Sequence, residues 1–478
     1  MVSVRRAVVL SMAQRYVAFV IQFVASIILA RLLTPAETGI FSLSAAVIGI
    51  AQMLRDFGVG EYIVQERDLT RQRLKAALGL SIVISWPIAF LLLAGAHPVA
   101  DFYDEAGVAS VMQVLALNFL LLPFGSTTSA VLSKELAYNI MFVNQTLTAL
   151  LGAVLCVALA ASGFSYMSMA WASLASMLFS LLFLVIVRPQ ETLMLPSFAN
   201  LKPIAKFGGT LTIGRLVDQL CRRAPDMLIA QGLGFQAVGL YSKASTVLDA
   251  FQDFFVSGIS RVATPAFAKS RHENNDPHAA YLQSVQMLAV FPLCFFPLLG
   301  LLAEPLIRAL FGATWMEAVP VIQIGAISGF LSSPYFLAPP LLTAHGRVKE
   351  ILAVQLVGGL IFIAALALAA FHSLEAVAIA GTVCTVVKLW LLQRALSSTI
   401  GVRLAELLAA CSRSATVGAI ATVVGATPLL VYDGTGPGAL LTLALSGVAS
   451  VIAFLASIFL LHHPIAQEVL AWWKRRKG

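Results

Sequence analysis

Charged side chains are scarce in this sequence. They make up 11% of its 478 residues, whereas hydrophobic side chains make up 59% and the mean hydropathy is +0.90. Soluble domains carry about 25% charged residues. One soluble core cannot hide this much apolar surface, so lipid is the expected solvent. These proportions exclude an ordinary soluble enzyme and predict a polytopic membrane protein.

Disulfide and metal-binding patterns are also missing. The five cysteines all lie in apolar segments, none forms a CxxC pair, and no histidine stands near them at ligand spacing. We therefore expect small membrane-buried cysteines rather than a disulfide framework or a metal site. The sequence contains neither an HExxH motif nor a P-loop. We expect no metal, no cofactor and no enzymatic activity.

Long apolar segments dominate what is present. A helix that crosses a bilayer needs about 20 apolar residues, and fourteen segments meet this requirement. The predicted spans are 7–33, 38–57, 76–97, 108–131, 140–162, 165–187, 207–233, 237–260, 281–302, 318–343, 350–371, 374–397, 407–431 and 439–461. The predicted fold class is an all-α polytopic membrane protein with about 14 transmembrane helices.

Basic residues lie along the chain between the spans, where they set orientation, so the net charge of +8 does not indicate nucleic-acid binding. The connections that follow even-numbered spans are rich in lysine and arginine, as at Arg71, Arg73 and Lys75. The other connections are mainly acidic, as at Asp101 and Asp104. Because cytoplasmic loops carry the excess of positive charge, this asymmetry predicts that both termini are cytoplasmic.

The sequence resembles itself at an offset of 200 residues. The matching pairs include Arg15 with Arg215, Gly39 with Gly239, Ser42 with Ser242 and Gly58 with Gly258. Six spans separate the two copies, so both cross the membrane in the same direction, as in one standard transporter layout. The repeat predicts two bundles that enclose a central cavity, 1–200 (spans 1–6) and 201–400 (spans 7–12). Residues 401–478 add two accessory helices and a basic cytoplasmic tail.

Polar and charged residues are dense in the seventh predicted span. Six of them fall within about 140° of arc on one helical face. They are Arg215, Asp218, Gln219, Arg222, Arg223 and Asp226. A charge within a span costs at least about 2.5–3.5 kcal/mol and marks a functional site by default. Pairs four residues apart, Asp218–Arg222 and Arg222–Asp226, are the structural alternative.

These two pairs cannot neutralise every charge on this face, because the face carries three arginines and two aspartates. Arg15 in the first span and Lys243 in the eighth add further positive charge. A positive, water-accessible cavity with low-dielectric walls attracts anions, and arginine side chains suit phosphate oxygens. The sequence therefore predicts an anion-binding cavity.

Two stretches carry a resemblance to a known family. They are ARLLTPAETGIF at 30–41, followed by RDFGVG at 55–60, and DMLIAQGLGFQAVGLYS at 226–242. Both resemble polysaccharide or oligosaccharide flippases of the Wzx type, within the multidrug/oligosaccharidyl-lipid/polysaccharide exporter superfamily. The resemblance covers the first 270 residues well and the rest mainly by topology, and its motifs indicate the family but not the sugar.

This resemblance implies a protein of the bacterial inner membrane that moves undecaprenyl-diphosphate-linked oligosaccharides to the periplasmic leaflet. Alternating access, coupled to an ion gradient, would serve lipopolysaccharide or exopolysaccharide assembly. The expected headgroup contacts are Arg15, Arg215, Arg222, Arg223 and Lys243, and the expected ion-coupling acids are Asp218 and Asp226. The implied partners are the lipid-linked oligosaccharide, membrane lipid, and the polysaccharide polymerase with its chain-length machinery, with no nucleic acid.

Three alternatives stay open at this point. An ion-coupled drug or small-molecule exporter of the same superfamily would require an acidic or aromatic cavity, and the excess of arginine argues against it. A polymerase or ligase of the same pathway would typically carry a long periplasmic loop with catalytic residues, whereas the longest predicted outside connection has about fifteen residues. A channel is disfavoured by the paired repeats. The sugar, the coupling ion and the oligomeric state have no signal in the sequence.

Overall fold

The computed structural model describes the chain except for residues 1–3, 57, 200, 252–254, 274–275, 432–437 and 467–478. The side chains of residues 4–12, 202–203, 205–218, 257 and 261 also lie outside the description. All regular structure in the described part is helical, and no strand occurs in it. The fold is therefore all-α, as the sequence predicts.

The helices follow one another with short connections. In chain order they are α1 (Val4–Leu32), α2 (Pro35–Arg55), α3 (Val59–Gln65), α4 (Arg71–Phe102), α5 (Ala106–Lys134), α6 (Tyr138–Ala161), α7 (Met167–Val187), α8 (Pro189–Thr192), α9 (Lys202–Phe251), α10 (Ser257–His272), α11 (Pro277–Leu288), α12 (Val290–Leu301), α13 (Ala303–Leu310), α14 (Val319–Ser332), α15 (Ala338–Ala344), α16 (Val348–Ala369), α17 (Leu374–Ile400), α18 (Leu404–Ala426) and α19 (Gly438–Leu460). Short 3-10 helices cover Ala313–Ala318, Ser333–Tyr335 and Thr427–Leu430.

Twelve stretches of the described chain are long and apolar enough to cross a membrane, and each coincides with a predicted span. The other two predicted spans, 207–233 and 237–260, fall mainly on α9. This helix of 50 residues is interrupted at Gly234, whose backbone (φ 81°, ψ 178°) is not helical. The polytopic all-α class is confirmed, and the count of fourteen spans stays a prediction.

A polar network fixes the start of α2. Thr34 caps the helix by accepting a hydrogen bond from the Glu37 amide (3.3 Å), and the Glu37 carboxylate accepts one from the Thr34 amide (2.7 Å). This reciprocal arrangement satisfies amides that the first helical turn leaves without a partner. The Ser165 hydroxyl also donates to Glu37, so the turn before α2 is tied to the α6–α7 connection.

The chain divides into two compact units, Met1–Gly239 and Leu240–Gly478, called unit 1 and unit 2 below. Within unit 1, α4 packs on α5, α1 on α6, and α7 on both α5 and α6. Within unit 2, α18 packs on α12 and α19, while α17 packs on α14 and α16. The division into 1–200, 201–400 and 401–478 stays a prediction.

The connection between α8 and α9 is packed against α4. The Ser197 amide donates to the Lys75 carbonyl (2.9 Å), and a Cβ on Gly79 would lie 2.1 Å from the Ser197 carbonyl oxygen. Met194 and Ile204 are buried in an apolar cluster with side chains of α3, α4 and α5. This connection is therefore an integral part of unit 1.

Two segments that the sequence assigns to connections contain helices. The predicted inside segment 261–280 remains helical to the end of α10 at His272, and the segment after Leu302 contains α13. Both helices are too short or too polar to register as spans. Hydropathy alone does not detect helices of this kind.

The predicted orientation can be tested by thiol labelling in a cysteine-free background. We expect a cysteine at Asp104 to react with a membrane-impermeant reagent in intact spheroplasts, and one at Lys269 to react after permeabilisation. Both positions are exposed, so the difference reports the side of the membrane rather than burial. Labelling at Lys269 in intact spheroplasts would contradict the orientation.

Candidate functional site

The predicted charged face of α9 lies in unit 1, and its described side chains differ in exposure. Arg222 is exposed, the Arg223 side chain is 40% exposed, and Asp226 is buried. The side chains of Arg215 and Asp218 lie outside the described residues. The described part of this face therefore presents positive charge outward and holds its carboxylate inside.

An ion pair joins two of these residues. Arg223 Nη1 lies 3.9 Å from Asp226 Oδ2, at the spacing of three residues along the helix. The sequence predicts pairs four residues apart, at Asp218–Arg222 and Arg222–Asp226. Spacings of three and four both place side chains on one face, so composition does not decide between them. The Arg223–Asp226 pair turns Arg223 toward the buried carboxylate, and the two pairs expected from the sequence stay predictions.

Gly49 of α2 makes room for this face. A Cβ on Gly49 would lie 3.0 Å from Gln219 Nε2 and 3.1 Å from Arg223 Nε. The polar side chains of α9 thus lie directly over the α2 backbone, as small residues at membrane-helix interfaces allow. This contact places Gln219 and Arg223 against protein rather than against lipid.

Tyr103 at the end of α4 holds the backbone beside Asp226. Its hydroxyl donates to the Met227 carbonyl at 3.2 Å. Burial raises the pKa of the Tyr103 phenol, which keeps the hydroxyl protonated as a donor. Sequence reasoning did not find this residue, because one tyrosine after a span has no pattern that points to a partner 124 positions away.

Lys243 lies in unit 2 and is buried. Its ammonium nitrogen lies 5.0 Å from the ring centroids of both Phe311 and Trp315. Both rings are fully buried. Cation–π contact of this kind stabilises a desolvated ammonium. The structure thus surrounds Lys243 with aromatic side chains of its own unit, and its contact with a headgroup stays a prediction.

Among the predicted cations whose side chains the structure describes, Arg15 of α1 and Arg222 of α9 are exposed. A guanidinium group within a membrane-spanning helix is costly against lipid and is therefore expected to face water or protein. Its planar donors match two oxygens of a phosphate at once. The described part of the chain holds no cluster of three or more His, Cys, Asp or Glu residues that could bind a metal ion. Anion binding by these arginines stays a prediction.

Comparison with known proteins shows which family the chain belongs to. A family profile described as "Polysaccharide biosynthesis protein" matches residues 28–320, more than half of the chain. The chain belongs to this family. The polysaccharide flippase identity expected from the two quoted stretches is thereby confirmed, together with the multi-pass membrane character of the protein.

Two relatives are similar to the chain at the same level. It is 26% identical to the teichuronic acid biosynthesis protein TuaB of Bacillus subtilis (strain 168), over 65% of both chains. It is also 26% identical to the lipopolysaccharide biosynthesis protein WzxC of Escherichia coli (strain K12), over 67% of this chain and 66% of that protein. The match therefore spans about two thirds of the length of these family members.

A solved structure of another protein has a fold similar to that of this chain. The chain is similar to the lipid II flippase MurJ in an inward closed conformation, with a TM-score of 0.74. The match covers 95% of this chain and 98% of MurJ at 11% sequence identity. At this identity the likeness establishes the fold alone. It supports the predicted all-α polytopic class.

Proposed function

We propose that this protein is a flippase that moves undecaprenyl-diphosphate-linked oligosaccharides from the cytoplasmic to the periplasmic leaflet of the bacterial inner membrane. The transport serves assembly of lipopolysaccharide or another surface polysaccharide and proceeds by alternating access. The protein is not an enzyme. Both termini face the cytoplasm in this proposal.

The observation that carries the proposal is the exposed arginine on the polar face of α9. Arg222 is exposed within a predicted span, while the neighbouring carboxylate of Asp226 is buried against Arg223. The described ion pair of this face uses Arg223, and Arg222 lies at the surface. A diphosphate with attached sugars is an anionic, hydrophilic load that such a surface accepts, and the prenyl chain can remain in lipid.

The residues divide into two proposed roles. Arg15, Arg215, Arg222 and Arg223 contact the diphosphate, and Lys243 contributes positive charge from unit 2. Asp218 and Asp226 couple transport to an ion gradient. Of the two acids, Asp226 has the described geometry that suits the role, since a buried carboxylate beside one arginine can change its charge state or its partner.

The proposed partners are the lipid-linked oligosaccharide and the surrounding membrane lipid, with a polysaccharide polymerase and its chain-length machinery acting on the product. A drug exporter is the alternative within the superfamily. The polysaccharide family match and the cationic face of α9 both favour the saccharide substrate over a cationic drug. The fold likeness does not separate the two.

The direct test is a leaflet-translocation assay with purified protein in liposomes that contain fluorescent undecaprenyl-diphosphate oligosaccharide. We expect labelled lipid to become accessible to a membrane-impermeant quencher faster than in protein-free liposomes. Liposomes with the Arg222→Gln variant are the matched control and should lose most of this acceleration. Equal rates with and without the wild-type protein would refute the proposed function.

A further inference from the structure

One face of α17 carries a stripe of exposed apolar side chains. Four of them are more than half exposed and follow one another at spacings of three or four residues, Ile379, Val383, Val386 and Trp390. These spacings place all four on one helical face. Exposed apolar side chains on a membrane-spanning helix are expected to contact lipid. The stripe is therefore the lipid-facing surface of α17.

The stripe ends at a cation. Arg394 follows Trp390 by four residues, so it lies on the same face, one turn further along the helix. Arg394 is exposed, and the centre of its guanidinium group lies 4.9 Å from the centroid of the Trp390 ring. A ring on one side of a guanidinium group limits its motion, whereas the N–H donors at its edge remain available.

The described part of the chain supplies no acceptor for these donors. Arg394 has no ion pair or hydrogen bond with the residues that the structure describes. Arg188, at the end of α7, shows the other arrangement, since its guanidinium nitrogens lie 2.7 Å from a Glu135 oxygen and 3.5 Å from a Glu191 oxygen. A lipid-facing guanidinium group without such carboxylates is expected to take its acceptors from the lipid headgroups.

The helix beside α17 places a second cation at a similar depth. α16 packs on α17 and is joined to it by a short connection, so the two helices run antiparallel. A Cβ on Gly358 would lie 2.5 Å from Lys388 Cγ, which aligns these two positions. Counted from this contact, Lys349 lies about 4.5 Å in depth from Arg394. Lys349 is exposed, and in the predicted orientation this is the cytoplasmic end of both helices.

We propose that Arg394, Trp390 and Lys349 form a binding site for the phosphate headgroup of an anionic phospholipid at the cytoplasmic end of α16 and α17. The planar donors of Arg394 bind two oxygens of the phosphodiester, and Lys349 adds positive charge at the headgroup level. The acyl chains follow the apolar stripe of α17. Anionic phospholipid is the resident anion of the cytoplasmic leaflet, so the site is assigned to it rather than to the lipid-linked diphosphate.

Native mass spectrometry of the purified, delipidated protein tests the site. The probe lipids are dioleoylphosphatidylglycerol, which is anionic, and dioleoylphosphatidylcholine, which has the same acyl chains and no net charge. We expect Arg394→Gln to lower the affinity for the first phosphatidylglycerol bound by about fivefold, the effect of one cation near an anionic lipid. The affinity for phosphatidylcholine should stay unchanged, which shows that the variant is folded. An undiminished phosphatidylglycerol affinity would overturn the site.

Two further variants separate charge from orientation. Trp390→Leu keeps an apolar side chain and should also lower the phosphatidylglycerol affinity, because the guanidinium group loses the ring that limits its motion. Arg394→Lys should retain part of the affinity, since it keeps the charge and loses the paired donors. Arg188→Gln is the matched control. It makes the same chemical change at a guanidinium group already paired with carboxylates, so it should leave the affinity unchanged.

A parallel titration with undecaprenyl diphosphate distinguishes the two possible sources of the phosphate. We expect Arg394→Gln to bind this lipid as tightly as the wild-type protein does. A variant that loses affinity for undecaprenyl diphosphate but not for phosphatidylglycerol would assign these residues to the transported lipid and overturn the proposal. Neither titration involves transport, so the result does not depend on the function proposed above.

Discussion

Removal of the charge at both Arg215 and Arg222 is expected to abolish surface polysaccharide without lowering the amount of protein in the membrane. A hydrogen bond to a charged group contributes about 1.5–3 kcal/mol, which corresponds to roughly 10- to 150-fold in binding. Loss of two arginine contacts with a diphosphate should therefore bring export below detection. The measurement is surface polysaccharide by immunoblot in a deletion strain that carries Arg215→Gln with Arg222→Gln.

Lys388→Ala provides the control for loss of a cation within a predicted span. The Lys388 stem lies over Gly358, and its ammonium lies 5.6 Å from the Phe362 ring centroid, so its described contacts are within unit 2. We expect normal polysaccharide from this variant. Arg222→Lys should retain part of the activity because it keeps the charge and loses the paired donors. Normal polymer from the double glutamine variant would contradict the arginine assignment.

Asp226→Asn is expected to lower surface polysaccharide by about tenfold or more while the protein level stays normal. Asparagine fills the same volume but has no charge to balance Arg223 at 3.9 Å and no carboxylate to bind a coupling ion. The measurement is polymer export before and after an ionophore collapses the ion gradients. We expect the wild-type protein to lose export under the ionophore and the residual export of the variant to remain as it was.

Asp104→Asn is the matched control. Asp104 is exposed in the α4–α5 connection and has a left-handed backbone (φ 52°), a conformation that asparagine also adopts readily. The same chemical change there should alter neither export nor its response to the ionophore. A variant at Asp226 that exports normally and still responds to the ionophore would rule out the coupling role.

The sequence predicts the membrane helices well because a bilayer imposes one length on every span. The span predicted at 374–397, for example, corresponds to α17 at Leu374–Ile400, where Ser373 caps the first turn. Breaks are also visible in the sequence when glycine allows them. The predicted boundary between 233 and 237 falls on Gly234, the non-helical residue within α9. Helices too short to cross a bilayer, such as α13, are not detected by this length criterion.

The candidate site is predicted less completely than the fold. The polar face of α9 follows from helical periodicity, which is a local property, and Arg222 and Asp226 lie in one helix as expected. The partners that orient such groups come from distant positions. Tyr103 beside Met227 and Trp315 beside Lys243 are contacts of this kind. Single residues in other elements carry no periodic signal, so folding is needed to bring them together.

The packed connection before α9 determines where the polypeptide can be divided. Fragment complementation, in which two plasmids supply separate pieces of one protein, works when the new ends leave the interior of each piece intact. A cut before Met194 would remove buried side chains from unit 1, together with the hydrogen bond that the Ser197 amide donates to the Lys75 carbonyl. Exposed residues between α10 and α11, near Glu273, offer a less damaging place to separate the pieces.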